Sequence, residues 1–346
     1  MSRILVLGSA LLDIYLMDHD DLGASEIAGR PLLGEIIAGS KVDIDRLYYC
    51  VGGGGLNAAV SLSRQGHEVV LMANIARDTA GETILTALDE EEIDNSYLGY
   101  ARRGGTGTSV VLLDSASGER TVLTYRGASG SFVNFSEGDM ELVQPDWLYI
   151  TTLRGDFDTL ERFLMKAHEM GVRVMLNPGG GELKDARRLL ALLAYVDVLL
   201  VNKEEAAALV SGVLLTELAY RLGNYVPVCI ITDGAMGGVG VKATRGVGKG
   251  DSSGDRSKID PDNGSEASEM YRFGIYEDVK VRDATGAGDA FGAGFLSAYM
   301  RGFPFSEALK RGSANSTAVV QAVGATTNAL YGDEELHPMP MQRIEM

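Results

Sequence analysis

Residues 283–295 read DATGAGDAFGAGF. An acidic turn leads into three small residues, and an aspartate follows one step into a helix. Gly286, Ala287 and Gly288 leave their backbone N–H groups uncovered where that helix begins. Such donors, with the positive end of the helix dipole behind them, make an anion site. Asp289 stands beside it. A carboxylate next to anion-binding amides suits a base facing a group that becomes strongly negative, as in phosphoryl transfer. Taken alone, the stretch reads equally well as a Gly-rich turn capped by an Asp.

A second stretch, VGGGGLNAAVSLSRQG from Val51, carries four consecutive glycines. Gly52 to Gly55 form a loop that lets a ligand approach the backbone, with Gly53 and Gly54 at its centre. A purely structural loop rarely needs four, because each costs chain entropy. Asn57 then enters a helix. No buried strand runs directly into a G-x-G-x-x-G, and the GK[ST] ending is missing, so neither a dinucleotide fingerprint nor a Walker loop is present.

These residues need elements to hold them. RILVLGSALLD reads as a buried parallel strand ending at Gly8. Asp13 follows just past its carboxyl end, where open α/β sheets place ligand-binding residues; a solvated loop acid is the plainer reading. Residues 18–50, including EIIAG and VDIDRLYYC, suggest small strands outside the main sheet. TSVVLLD and RTVLTYRG read as a hairpin joined by SASGE that pairs with them as a lid. From residue 146 strands alternate with helices, which implies a parallel sheet with helices on both faces. Asn202 is an expected N-cap, and ELKDARRLLALLAY an expected helix. Residues 244–270 are Gly-, Ser- and Asp-rich and read as a flexible surface insertion within a hairpin. The tail, 331–346, reads as peripheral.

At 346 residues the chain makes one large domain or two small ones. A net charge of -17 argues against nucleic acid and anionic membranes as partners. No apolar run is long enough to span a bilayer, and Ile4 to Leu12 lacks signal-peptide flanks. Two cysteines, Cys50 and Cys229, make no disulfide framework or metal pattern, so a reducing cytoplasm is expected.

Four motifs in order resemble the ribokinase (PfkB) family of carbohydrate kinases: GGGGLNAAVSLSRQG, NKEE from Asn202, TDGAMG from Thr232, and DATGAGDAFGAGF. The resemblance covers roughly residues 3–330. It implies a ribokinase-like α/β three-layer sandwich over 1–330, with a mostly parallel central sheet and a small β lid from about 15–50 and 97–127. It implies ATP-dependent phosphorylation of a hydroxyl, most often a hydroxymethyl, of a small sugar, with a nucleoside kinase or a non-catalytic sugar- or nucleotide-binding regulator on the same fold as alternatives. Asp289 falls at the family's catalytic base, with Gly286, Ala287 and Gly288 stabilising the transferred group. Asp13, Gly53, Gly54 and Asn57 match sugar-binding positions. Asn202, Thr232, Gly234 and Gly237 match nucleotide positions, and Asn315 falls where it would border the adenine. Glu205 matches a residue that holds Mg2+ through water; a helix cap followed by a surface Glu explains Asn202 and Glu205 equally. Asp283 and Thr285 match a loop that binds a monovalent cation such as K+ in many members. Here Ala284 replaces the usual Ser or Thr. Lids of this kind also form homodimer contacts. Tyr15, Tyr48 and Tyr49 keep a nucleoside open, while Arg126 or Arg154 would suit a sugar acid.

Overall fold

A computed structural model describes residues 1–17, 25–27, 30–32, 41, 43–113, 120–243, 267–277, 279–332, 334 and 336–345. The strands of the first part of the chain are β1 (Arg3–Leu7), β2 (Leu11–Met17), β3 (Ser25–Ile27), β4 (Arg30–Leu32), β5 (Arg46–Gly52), β6 (Glu68–Met72), β7 (Asn74–Ile75), β8 (Gly99–Tyr100), β9 (Gly107–Leu113) and β10 (Arg120–Tyr125). Then come β11 (Trp147–Ile150), β12 (Arg173–Leu176), β13 (Val198–Asn202), β14 (Val228–Thr232), β15 (Gly238–Ala243), β16 (Ala267–Phe273) and β17 (Met341–Arg343). The helices are α1 (Gly54–Arg64), α2 (Thr79–Glu90), α3 (Asp139–Val143), α4 (Phe157–Met170), α5 (Ala186–Leu192), α6 (Lys203–Leu209), α7 (Leu215–Leu222), α8 (Ala287–Met300) and α9 (Phe305–Val319).

Nine strands form the main sheet in the order β17-β16-β15-β14-β13-β12-β11-β1-β6. Pairing is parallel from β14 through β6 and antiparallel from β14 to β17. The central strands are buried on both faces, which is why Ile4, Leu5, Val6 and Leu7 form an unbroken apolar run, each at 0% exposure. Removing each such side chain from water contributes about 1.5–3 kcal/mol. Separate apolar clusters fill the two sides of the sheet.

One helix sets the height of everything at the site. α8 is buried from Ala290 through Ala298. Its small residues allow that. A Cβ on Gly292 would lie 2.1 Å from the Tyr149 hydroxyl of β11 and 2.9 Å from Leu200 Cδ2 of β13. One on Gly294 would lie 2.8 Å from the Arg311 carbonyl oxygen of α9. The bare backbone therefore lies directly on the sheet, with its N-terminus over the carboxyl ends of the strands.

The lid is a second sheet, ordered β10-β9-β2-β5. The expected hairpin is β9–β10, and it does pair into a lid with the N-terminal strands. Here three expectations are corrected. Asp13 is not in a loop past β1; the chain breaks at Gly8–Ala10, and Asp13 sits within β2, at the centre of the lid. The apolar residues on either side of Gly8-Ser9 belong to two strands of two sheets. The four glycines are not one loop either: Gly52 ends β5, Gly53 is the turn at φ 96°, and Gly54–Gly55 open α1. The tail is not wholly peripheral, because β17 adds the edge strand of the main sheet and Pro340 accepts a backbone hydrogen bond from Gly274 at 2.8 Å.

The segment expected as one helix from Glu182 breaks into α5 flanked by two 3-10 turns. EIIAG, the SASGE turn and residues 244–266 of the insertion lie outside the described residues. No described helix is long and apolar enough to cross a membrane.

Gly292→Ala should therefore overpack the α8–sheet joint and cost about 1–3 kcal/mol. Thermal unfolding should show a midpoint several degrees lower, about 2–4 °C per kcal/mol for chains of this order of size. Gly180→Ala, where a Cβ meets nothing within 4 Å, should leave the midpoint unchanged; equal effects would contradict this packing.

Candidate active site

The site lies where the carboxyl ends of β1 and β11 meet the start of α1. Chain order reverses between these two strands, and open α/β sheets bind ligands at such points. Gly8 and Gly55 approach so closely that a Cβ on Gly55 would be 2.7 Å from the Gly8 carbonyl carbon. Gly53 is held with φ 96°, and its Cβ would lie 2.6 Å from the Ser9 carbonyl oxygen. Both conditions demand glycine.

Two carboxylates flank this bare backbone. A Cβ on Gly52 would sit 2.1 Å from Asp13 Oδ2, and one on Gly54 would sit 3.3 Å from Asp289 Oδ1. Asn57, on α1, donates from Nδ2 to Asp289 Oδ2 at 2.9 Å. Its Oδ1 is buried without a partner, as is Thr151 Oγ1 beside Gly54. Burial pushes the Asp289 carboxyl up to about 6, and the Asn57 hydrogen bond pulls against that. Burial also raises Asp13 to about 6, opposed by a hydrogen bond from Ser109 and reinforced by the charge of Asp283. Asp13 is 5% exposed. It lies in register with Ser109 and Cys50, and Ser109 with Thr124. Strand alternation puts all four on one face of the lid. The sequence therefore pointed to Asp13 and missed Ser109 and Thr124, because the register that groups them is set by tertiary pairing.

The glycine turn before α8 has the expected form. Gly286 is the N-cap of α8 at φ 77°, in the left-handed region, and no side chain caps the helix. A Cβ on Gly286 would collide with Ala325, whereas Gly288 faces open space. Asp289 is in the first turn. Asp283 is 1% exposed, and its carboxylate accepts from Thr285 N at 2.9 Å, Thr285 Oγ1 at 2.6 Å and Gly324 N at 3.2 Å. Arg120 Nε approaches it to 4.0 Å. The carboxylate thus closes its own loop.

Asn202 and Thr232 pair side by side at the ends of β13 and β14. Asn202 and Glu205 form a reciprocal capping box, each side chain accepting from the other's backbone N–H at 2.9 Å. Burial raises the Glu205 carboxyl, countered by the Asn202 backbone and supported by Glu182 and Glu204. Gly234 and Gly237 turn the chain at φ 53° and 77°. A Cβ on Gly237 would strike the Phe273 carbonyl oxygen at 2.1 Å.

Asn315 is buried and its side-chain amide is bonded within the chain. It is 1% exposed; Nδ2 donates to Ser61 Oγ and to the Ala290 carbonyl, both at 2.7 Å, and Oδ1 accepts from Leu330 N at 2.8 Å. Its amide is used up in joining α1, α8 and α9. A cavity of about 540 Å3 opens instead beside the neighbouring turns of α9, lined by Ala314, Thr317, Ala318, Tyr276, Val279 and Leu336. The helix face could have been read from the 3.6 period, but not which residues border a cavity.

Glu182 also escaped the sequence reading. It is 1% exposed and accepts from Thr152 Oγ1, Leu153 N, Gly155 N and Gly179 N at 2.7–2.9 Å. A buried carboxylate with four donors fixes the loops after β11 and β12.

Comparison with known proteins gives the family and the fold. The model of the pfkB family carbohydrate kinases matches residues 1–330. A ribokinase of Haemophilus influenzae is 27% identical over 316 residues, covering 88% of this chain and 90% of that one. A nucleoside kinase of Methanocaldococcus jannaschii is 25% identical, covering 86% and 88%. Among solved structures, Arabidopsis thaliana ribokinase complexed with ribose and ATP shares the fold at TM-score 0.72 and 20% identity, covering 96% of both chains. Burkholderia thailandensis nucleoside kinase in complex with inosine does so at TM-score 0.70 and 18% identity, covering 95% of both. The chain belongs to the pfkB family of carbohydrate kinases, ATP-dependent phosphotransferases that act on sugar hydroxyls.

Proposed function

We propose that this chain phosphorylates a hydroxymethyl group of a small sugar, with Asp289 as the base. The observation that carries the reading is the Asn57–Asp289 hydrogen bond beside the uncapped start of α8. It holds a carboxylate next to the backbone amides that open α8, of which the Ala287 N–H also makes a long bond to the Ala284 carbonyl at 3.4 Å. Asp289 takes the proton from the attacking hydroxyl. The N–H groups of Gly286, Ala287 and Gly288 face the oxygens of the transferred phosphoryl; such pre-aimed donors are each worth about 3 kcal/mol in other enzymes. Asp13, Asn57 and the backbone at Gly53 and Gly54 hold the acceptor's hydroxyls. The polar row Asp13, Ser109 and Thr124 suits hydroxyls better than a stacked base, which favours a sugar over a nucleoside.

The nucleotide lies along Asn202, Thr232, Gly234 and Gly237, with its base toward the cavity beside α9. Among the described residues no group of three or more His, Cys, Asp or Glu side chains could hold a metal ion. That suits Mg2+ held mainly by phosphates and water, with Glu205 reaching it through water. Bound there, Mg2+ neutralises phosphate charge. Asp283 and Thr285 spend their side chains on each other, so K+ would rest on main-chain oxygens of that loop. With Arg120 already facing Asp283, replacing K+ by Na+ should change the rate only modestly.

The outer face of the lid is the proposed contact with a second copy. Leu47, Tyr49, Leu123 and Tyr125 are 49–63% exposed. The rows they stand in, Leu16, Ile14, Leu12 and their partners on β5, β9 and β10, contain no charged residue. Two copies carrying -17 each approach with least repulsion there.

Four outcomes follow. An ATP-consumption screen over pentoses, hexoses, polyols, sugar acids and nucleosides should find a sugar acceptor. Asp289→Asn should lower its kcat about a hundred- to ten-thousandfold while nucleotide binding persists; near-normal turnover would contradict the assignment. Asp13→Ala should raise the acceptor KM about tenfold or more and spare the KM for ATP. Leu123→Glu should convert a dimer into a monomer in light-scattering measurements; a wild type that is already monomeric contradicts the lid contact.

A further inference from the structure

The family match stops at residue 330, yet the chain beyond it is tied into the main sheet. β17 pairs antiparallel with β16, setting Arg343 opposite Tyr271, Gln342 opposite Arg272 and Met341 opposite Phe273. Ile344 N donates to the Met270 carbonyl and Gly274 N to the Pro340 carbonyl, both at 2.8 Å. A Cβ on Gly274 would lie 3.0 Å from Pro340 Cβ, so the two backbones are in close contact. Met339 and Met341 pack against the apolar cluster on one side of the sheet, and Ile344 against the cluster on the other. Pinned in this way, β17 fixes the position of the residues just before it.

Those residues, Leu336, His337 and Pro338, line the cavity of about 540 Å3 together with Ala314, Thr317 and Ala318 of α9. That volume is in the range of small-molecule sites. The cavity is bracketed by the two turns that matter for a nucleotide, because the segment from Gly274 to Asp283 runs along it. At one end, a Cβ on Gly237 would lie 2.1 Å from the Phe273 carbonyl oxygen and 2.9 Å from Gly274 Cα. Ser313 Oγ, next to Ala314, donates to the Gly274 carbonyl at 3.2 Å. At the other end, Arg282 N and Asp283 N donate to the Val320 carbonyl at 2.8 and 3.3 Å, beside Gln321, another lining residue. Tyr276 and Val279 line the cavity between these ends. Its lining also holds two carboxylates, Glu277 and Glu334, and no Lys or Arg among the described residues. That charge disfavours phosphates and suits the uncharged nucleoside part.

We propose that Leu336, His337 and Pro338 form the outer wall of the site for the nucleoside part of ATP, holding its base against α9. This rests on the kinase reading above and deepens it, by assigning recognition of the base to residues outside the segment that matches the family. Ala314 and Ala318 are small enough to leave room for a flat ring on the helix side, and Leu336 and Pro338 cover it from the tail. Affinity then comes from apolar surface removed from water rather than from charge. Because β17 already holds the tail in place, little order has to be gained when the nucleotide binds.

The test measures the Kd of ATP and of ADP by calorimetry, with no acceptor present, on the wild type, on Leu336→Asp and on the double variant Leu336→Ala, His337→Ala. Both variants should weaken both nucleotides about tenfold or more. The rise in thermal midpoint given by ADP should shrink accordingly. Inorganic tripolyphosphate, which has no base, should bind the wild type and the variants alike. In turnover the KM for ATP should rise and the KM for the acceptor stay in place. In the wild type, ATP should slow hydrogen exchange at the Leu336 and His337 amides, and tripolyphosphate should not; this arm needs no variant to fold. An unchanged nucleotide Kd in both variants, or exchange at those amides that ATP leaves unaltered, overturns the wall and leaves the kinase reading standing. Equal weakening of tripolyphosphate, or an equal rise in the acceptor KM, also overturns it, because the tail then supports the whole site and not the base. A wild type that binds neither ATP nor ADP defeats the kinase reading and the wall together.

Discussion

The hydrogen bond from Asn57 to Asp289 joins two helices that are 232 residues apart in the chain. It depends on close packing on every side. α1 reaches the site only because its first turn is bare glycine against Gly8 and Ser9. α8 reaches it only because Gly292 lets the helix sink onto Tyr149. Asn315 then ties the two helices from behind through Ser61 and Ala290. A carboxylate in this setting would lose its charge to burial; the amide of Asn57 offsets part of that cost.

The same geometry explains the division of labour between the two sheets. The main sheet supplies rigid carboxyl-end positions, at Thr151, Asn202 and Thr232. The lid supplies Asp13, Ser109 and Thr124, and the glycine run that links β5 to α1 brings Asp13 toward Asp289. Lid and body meet again at Asp283, where Arg120 of β10 approaches the loop that opens α8. Burial and the neighbouring carboxylates Asp13 and Asp283 push the Cys50 thiol up to about 11, so it stays protonated and inert in that setting.

Much of this was legible from residues alone. Gly-rich turns, the aspartate that ends GAGD, the Asn202 cap and the alternation of strands and helices are local signals with local causes. What was hidden depended on pairing across the chain. Gly8 marks the end of the first strand in RILVLGSALLD, but nothing local shows that the apolar residues after it begin a strand of another sheet. Glu182 reads as one acid among many until four donors converge on it. Asn315 reads as a ligand residue in a helix full of small side chains, yet tertiary contacts use its whole amide. Ser109 and Thr124 gain meaning only from register with Asp13.

The central claim is that Asp289 is the base and that Asn57 tunes it. The direct measurement is kcat/KM for the acceptor against pH, in the wild type and in Asn57→Leu. The ionised carboxylate is the active form, so activity should be full above the raised value near 6 and fall about tenfold per pH unit below it. Asp13 titrates in the same range, so the variant makes the assignment: losing the amide donor should move the midpoint upward. A profile that is flat between about pH 5 and 8, or a midpoint that Asn57→Leu leaves in place, would contradict the account.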